Sequence, residues 1–202
     1  MKYKTVFWDF NGVVSHDFFY RPLQKTHPKA WDFVQSHIFG PLGNDVITKW
    51  MRADIDLKFI NDYIIKQTGV DQPTLEDSLI KGGAQFAIDS RHFDLIDRLK
   101  SSGIKVGLVT DNMDVFDLYI NPHYQFETLF DVVVNSFPFK MLKSEGLFDV
   151  AMKLIGTNDY DSALLIEDSP SSIGHFKSLG GNGYHYRNFE DFKIWADTNL
   201  NP

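Results

Sequence analysis

The sequence predicts an α/β protein: a parallel sheet covered by helices on both faces, with a helical segment inserted after the first strand. Three observations predict it. Short, nearly continuous apolar runs alternate with amphipathic stretches from about residue 91 onward. One further run of the same kind, Tyr3–Trp8, stands alone far upstream. Between the two, from about Ser15 to Ile88, no convincing strand occurs.

Each element follows from its residues. Tyr3–Trp8 reads as a buried strand of aromatic and β-branched side chains, stopped by the turn signal Asn11-Gly12. The stretches Lys29–Ile38, Asp45–Met51, Asp56–Gln67 and Thr74–Ile80 space their apolar residues as amphipathic helices do, and Gly40, Pro41, Gly69 and Pro73 punctuate them. A helix over Arg91–Ser102 ends at Gly103 and leads into the strand Ile104–Val109. Helices over Val115–Ile120, Leu147–Ile155 and Ser171–Leu179 precede the strands Asp131–Val134, Ala163–Ile166 and Gly183–Tyr186. A last helix covers Phe189–Thr198. Two lobes are expected: an α/β core from residues 1–14 and 89–202, and a helical cap from residues 15–88.

Bulk composition narrows the function. With 43% hydrophobic and 15% aromatic residues, the chain of 202 residues buries a sizeable core and is not disordered as a whole. A formal net charge of -7 repels nucleic acid and anionic membranes, so neither is an expected partner, and an anionic substrate needs a local cation to hold it. The absence of cysteine excludes a disulfide framework and thiolate chemistry, and fits a reducing compartment. No signal peptide is read at the start and no apolar run approaches a membrane span, so a cytoplasmic location is expected.

In an open parallel sheet, ligands bind at the carboxyl ends of the strands. After the first strand come Asp9, Asn11 and Gly12; after the second, Thr110-Asp111-Asn112. Lys143 lies a short loop beyond the third, and Glu167-Asp168-Ser169 follow the fourth. Singly, each has an ordinary structural reading: a turn residue, a helix N-cap, a solvated lysine, an acidic helix start. Together, at consecutive strand ends, they make a site. A hard divalent magnesium ion takes oxygen ligands, which Asp9 and the Glu167/Asp168 pair supply with a main-chain carbonyl from the turn. A phosphoryl group beside the ion needs donors, and Thr110, Lys143 and the backbone amides of the Asp9–Gly12 turn are suitable. A carboxylate so placed also serves as a covalent nucleophile.

Phe7-Trp8-Asp9-Phe10-Asn11-Gly12-Val13, Leu108-Val109-Thr110-Asp111-Asn112, Lys143 and Leu164-Leu165-Ile166-Glu167-Asp168-Ser169 resemble the four ordered motifs of the haloacid dehalogenase superfamily. The spacing from Lys143 to Glu167 is close to that of its phosphatase and β-phosphoglucomutase-like branch, and Ile173, Phe176, Gly180 and Gly181 suit the helix and turn expected next. That branch also inserts a helical cap between the first two motifs. The resemblance covers residues 1–14 and 90–186 and implies a Rossmann-like core. It implies Asp9 as nucleophile and magnesium ligand, with the Asn11 carbonyl, Asp168 and Glu167 completing the metal site. Thr110, Lys143, Phe10 and Asp111 would hold the phosphate. The substrate implied is a small phosphorylated metabolite, with the cap closing over it and excluding water.

Three positions depart from the motifs. Asn11 stands where an aspartate usually serves as general acid/base, Val13 replaces a usual threonine, and Ser144 follows the lysine in place of proline. An amide neither protonates a leaving alkoxide nor deprotonates water, and a positioned acid/base contributes about 10²–10⁴-fold. Three readings follow: a slow or specialised phosphatase whose substrates need no acid, substitution by another group such as His16, or an engineered Asp-to-Asn replacement. We read Asn11 as a natural variant, because some members of the superfamily carry Asn there.

A phosphomutase depends on the missing group and is disfavoured. A dehalogenase would leave the Glu167/Asp168 pair without a cation. A receiver-type regulator has no room for a helical insertion. A non-catalytic phosphate-binding protein remains as the alternative of a different class. In the cap, Arg21, Lys49 and Arg52 are read as solvent-facing cations, and Phe18, Phe19, Tyr20 and Trp31 as core or hinge packing.

Overall fold

The computed structural model describes residues 2–200. Five strands form one parallel sheet: β1 (Thr5–Trp8), β2 (Lys105–Thr110), β3 (Val132–Asn135), β4 (Ala163–Glu167) and β5 (Asn182–His185). Their order is β3-β2-β1-β4-β5. The strand that stands alone in the sequence is therefore the central one, pairing with β2 on one side and β4 on the other. All four residues of β1 are buried, as a strand with helices on both faces requires.

Side-chain alternation along the strands divides the core. Val6, Trp8, Val106, Leu108, Leu164 and Ile166 face one apolar layer, whereas Phe7, Val109, Val134 and Leu165 face the other. The second layer is completed by helices at Leu147–Leu154 and Pro170–Ser178. The first is completed by Arg91–Ser101 and Phe189–Asn199, and it runs without a break into the helices between β1 and β2.

That insertion contains α1 (Pro28–Phe33), α2 (Asn44–Met51), α3 (Leu57–Thr68) and α4 (Gln72–Ala84). Two helices owe their starts to aspartate caps: Asp56 accepts from the Phe59 N–H and Asp71 from the Thr74 N–H, both at 2.9 Å. The second cap, with Pro73 in the first turn, starts α4 earlier than the apolar spacing of Thr74–Ile80 indicates, and the helix also runs on to Ala84. The expected single helix Lys29–Ile38 divides at Phe33 into a regular turn and a wider π-type turn, Val34–Ile38. The expected helix Val115–Ile120 is likewise a π-type turn over Phe116–Ile120.

The two chain crossings between sheet and insertion are fastened to each other. Asp89 N–H donates to the Val14 carbonyl at 2.9 Å, and the Ser15 hydroxyl donates to the Ala87 carbonyl at 2.8 Å. The Asp17 carboxylate accepts from the N–H groups of Phe18 and Ala87 and from Arg21. Among the described residues no helix is long and apolar enough to cross a membrane.

Candidate active site

Strand order decides which sequence motifs meet. The chain steps outward from β1 to β2 and β3, then returns to place β4 on the other side of β1. The reversal between β1 and β4 leaves a crevice at their carboxyl ends, the usual ligand position in such sheets. Asp9, Asn11 and Gly12 leave one side of it; Glu167 and Asp168 leave the other. Carboxylate oxygens of Asp9, Glu167 and Asp168 lie within 4.8 Å of one another.

Lys143 joins them from the loop after β3. Its Nζ is 2.7 Å from Asp9 Oδ1 and 2.6 Å from Glu167 Oε2, and all three side chains are buried. The loop is held in register by Asp111, whose carboxylate accepts from the Lys143 N–H at 2.8 Å. Phe10 N–H donates to Asp9 Oδ1 at 2.7 Å, while its ring packs among Phe86, Phe116 and Phe126. Thus the amide of Phe10 and the carboxylate of Asp111 orient other site residues. Glu167 is gripped at both oxygens, since Oε1 accepts from the Ser169 N–H at 3.0 Å.

Electrostatics follow from three carboxylates sharing one ammonium. Burial raises the Asp9 pKa well above its ordinary value; Lys143 opposes this and Glu167 reinforces it. Burial also raises Glu167, but the lysine outweighs it and leaves that pKa below the usual carboxylate range. Burial, with the hydrogen bond and charge of Glu167, pushes Asp168 up to about 6. For Lys143, burial disfavours the charged form, yet Asp9, Glu167 and Asp111 together raise its pKa above the ordinary value. The cluster therefore carries an excess of acid over cation, made entirely of oxygen donors, which suits a hard divalent ion. The Thr110 hydroxyl is fully buried at the end of β2 and has no hydrogen-bond partner among the described residues.

Gly12 completes the wall. At φ +82 it turns the chain beside Asp168, and a Cβ there would lie 2.1 Å from Asp168 Oδ2. Asn11 is exposed, and with Gly12 it borders a cleft of about 360 Å³ between the sheet edge and the insertion. His16 lines this cleft too, as do Phe18, Phe19, Phe39, Ile47, Met51 and Met113. Phe18 and Phe19 are thus cleft walls as well as packing residues. Tyr20 is interior as expected, with its hydroxyl donating to Asn61 at 2.7 Å.

Several residues with no signal in the sequence tie the insertion to the site. Asp114 accepts from Trp50 Nε1 and from the Leu57 N–H at the start of α3, both at 2.8 Å. The Ser136 hydroxyl accepts from the Asn112 N–H and contacts the Met51 carbonyl at 2.9 Å. Arg52 pairs through two nitrogens with Glu145, two residues beyond Lys143, with Nε at 3.0 Å. Arg21 pairs with Asp17 at 2.9 Å. Two of the three insertion cations read as solvent-facing are therefore held in ion pairs.

No protein-family model matches the chain, and no curated protein matches it significantly. Solved structures do. A predicted haloacid dehalogenase-like family hydrolase from Porphyromonas gingivalis superposes with a TM-score of 0.70 at 18% identity, over 91% of each chain. A family enzyme from Bacteroides thetaiotaomicron, in complex with magnesium and inorganic phosphate, gives 0.65 at 17% identity over 90% of this chain and 93% of its own. The L-2-haloacid dehalogenase of Xanthobacter autotrophicus gives 0.65 at 13% identity, over 90% of this chain and 76% of its own. The chain has the fold of the haloacid dehalogenase-like hydrolases.

Proposed function

We propose that this chain is a magnesium-dependent phosphatase of small phosphorylated metabolites, with Asp9 as nucleophile and residues 15–88 as the cap. The observation that carries the reading is the buried arrangement of Asp9, Glu167 and Lys143, with Asp168 adjoining and the Thr110 hydroxyl unpartnered. The acidic excess favours this over a dehalogenase, which would have to keep the same three carboxylates together with only Lys143 to balance them. Asp9, Asp168 and the Asn11 carbonyl would hold the ion, with Glu167 supporting it and Lys143. When bound, magnesium offsets charge on the phosphoryl oxygens and relieves their repulsion with Asp9.

Lys143, held by Glu167 and Asp9, donates to a phosphoryl oxygen, and Thr110 offers its hydroxyl to another. An Asp9 oxygen attacks phosphorus while the bond to the leaving oxygen breaks, giving an aspartyl phosphate and a free oxyanion. Asn11 has no proton to give, so that oxyanion takes one from solvent. Water then attacks phosphorus of the aspartyl phosphate, restores the Asp9 carboxylate and releases inorganic phosphate. With no acid/base at position 11, turnover is slow.

The test is phosphate release from a panel of phosphorylated metabolites, with and without magnesium, by the chain and by Asn11→Asp. Weak magnesium-dependent release is expected, with a gain of about 10²-fold in Asn11→Asp. Phosphate binding without turnover in either protein would favour the non-catalytic alternative. Intact-mass analysis should accompany it, because deamidation at Asn11-Gly12 creates the acid/base chemically.

A further inference from the structure

We infer that the substrates of this site are phosphomonoesters of uncharged aromatic alcohols of phenol type. The inference rests on the phosphatase reading above and names the class of molecule that site would take. Two independent features of the chain point the same way.

The first is the cleft. It begins at the Asn11-Gly12 turn, two residues beyond Asp9, and is the space into which we place the leaving group. Phe18, Phe19, Phe39, Ile47, Met51 and Met113 make its lining largely apolar, with Asn11, Ser15, His16 and Asp17 as its polar members. The three rings form one connected surface, with Phe39 6.1 Å from Phe19 and 5.9 Å from Phe18. Phe18 is 44% exposed, a large apolar side chain left facing open space. Among the described residues no lysine or arginine lines the cleft. Of the cations near it in sequence, Arg21 and Arg52 are paired with Asp17 and Glu145, and Lys49 is exposed and outside the lining. A second phosphate, a carboxylate or a nucleotide tail would enter beside the Asp17 carboxylate, with no lysine or arginine in the lining, and lose its hydration. An aromatic ring would bury apolar area and stack edge or face against Phe18. Benzene fills a cavity of about 150 Å³, so a cleft of about 360 Å³ accepts one or two rings.

The second feature is Asn11. With an amide at position 11 the motif supplies no acid, and unless His16, which also lines the cleft, protonates it, the leaving oxygen departs as an anion. A phenoxide has a conjugate-acid pKa of about 10, as in tyrosine. An alkoxide lies near the value of water, about 15.7. The missing acid therefore penalises alkyl esters much more than aryl esters. A chain with an amide at the usual acid position and three aromatic side chains in this cleft is matched to phenol-type esters on both counts.

The experiment measures kcat/KM with magnesium for phenyl, para-carboxyphenyl, benzyl, ethyl and acetyl phosphates. Benzyl phosphate carries the ring but leaves as an alkoxide; acetyl phosphate leaves easily but carries no ring. Phenyl phosphate should exceed ethyl phosphate by at least about 10²-fold, and para-carboxyphenyl phosphate by about tenfold. Asn11→Asp should raise benzyl and ethyl phosphates more than phenyl phosphate, and Phe18→Ala should raise KM for phenyl phosphate more than for acetyl phosphate. Turnover of acetyl phosphate with phenyl phosphate no better than ethyl, or with the carboxylated ester preferred, would overturn the inference while leaving the phosphatase reading intact. If no ester is turned over, acetyl phosphate included, the phosphatase reading fails. Calorimetric titration with phenylphosphonate and methylphosphonate then decides the ligand class: tighter binding of the phenyl compound upholds it, and equal or absent binding overturns it.

Discussion

Replacing Gly12 by alanine adds one methyl group, and its consequences separate into two parts. The backbone at φ +82 lies in the left-handed region, where a side chain costs about 1–2 kcal/mol. The methyl carbon would also lie 2.1 Å from Oδ2 and 2.4 Å from Cγ of Asp168. Ordinary contact requires the carboxylate to retreat by roughly 1 Å, which Asp168 can do because it is exposed. Gly69 supplies the control: its φ is +75, but nothing lies within 4 Å of a Cβ there. Gly69→Ala should therefore lose only the backbone part, about 1–2 kcal/mol, with magnesium affinity unchanged. Gly12→Ala should lose a similar amount of stability and, in addition, about 10–100-fold in magnesium affinity, the scale on which disturbing a metal ligand's support acts. Urea unfolding without metal measures the first quantity and calorimetric titration with magnesium the second. A folded Gly12→Ala protein that binds magnesium within twofold of the parent would refute the placement of Asp168 in the metal site.

Two further outcomes concern stability. His92 is buried among Tyr186, Phe189 and Phe192, and burial holds its pKa down at about 4, below the ordinary value of 6.5. Its neutral form is thus the folded form: this contribution is intact above pH 6.5 and is lost as pH falls from 6.5 through 4, by up to about 3 kcal/mol. Urea unfolding across that window should show the loss, and His92→Phe should flatten it; identical pH profiles would count against this assignment. Asp114→Ala leaves the Trp50 indole and the Leu57 N–H without their acceptor, and should cost about 2–3 kcal/mol in thermal or urea unfolding. A loss below about 0.5 kcal/mol would mean that Asp114 does not fasten the insertion to the sheet.

Much of the fold was legible because burial leaves a local trace. A strand covered on both faces must be apolar throughout, so Val6-Phe7-Trp8 and Leu164-Leu165-Ile166 announce themselves. Helix starts were less legible. Asp71 reads as an ordinary acid until its carboxylate is seen on the Thr74 N–H, which is why the apolar spacing alone started that helix late. The π-type turns at Val34–Ile38 and Phe116–Ile120 keep nearly helical spacing and have no separate signature.

For the candidate site, the sequence by itself determined the inventory: which polar residues follow which strand, and that Asn11 stands where an acid/base is expected. Turn chemistry and strand termination are local, so they are written in consecutive residues. Tertiary structure alone decided the arrangement. It set β4 against β1 so that Glu167 faces Asp9, and brought Lys143 between them at 2.6 and 2.7 Å. It also laid Asp168 over Gly12, tied the insertion down through Asp114 and Ser136, and turned Phe18 from a presumed packing residue into the wall of a cleft. Such contacts join residues far apart in the chain, and they depend on strand order and side-chain convergence, which no short-range pattern records.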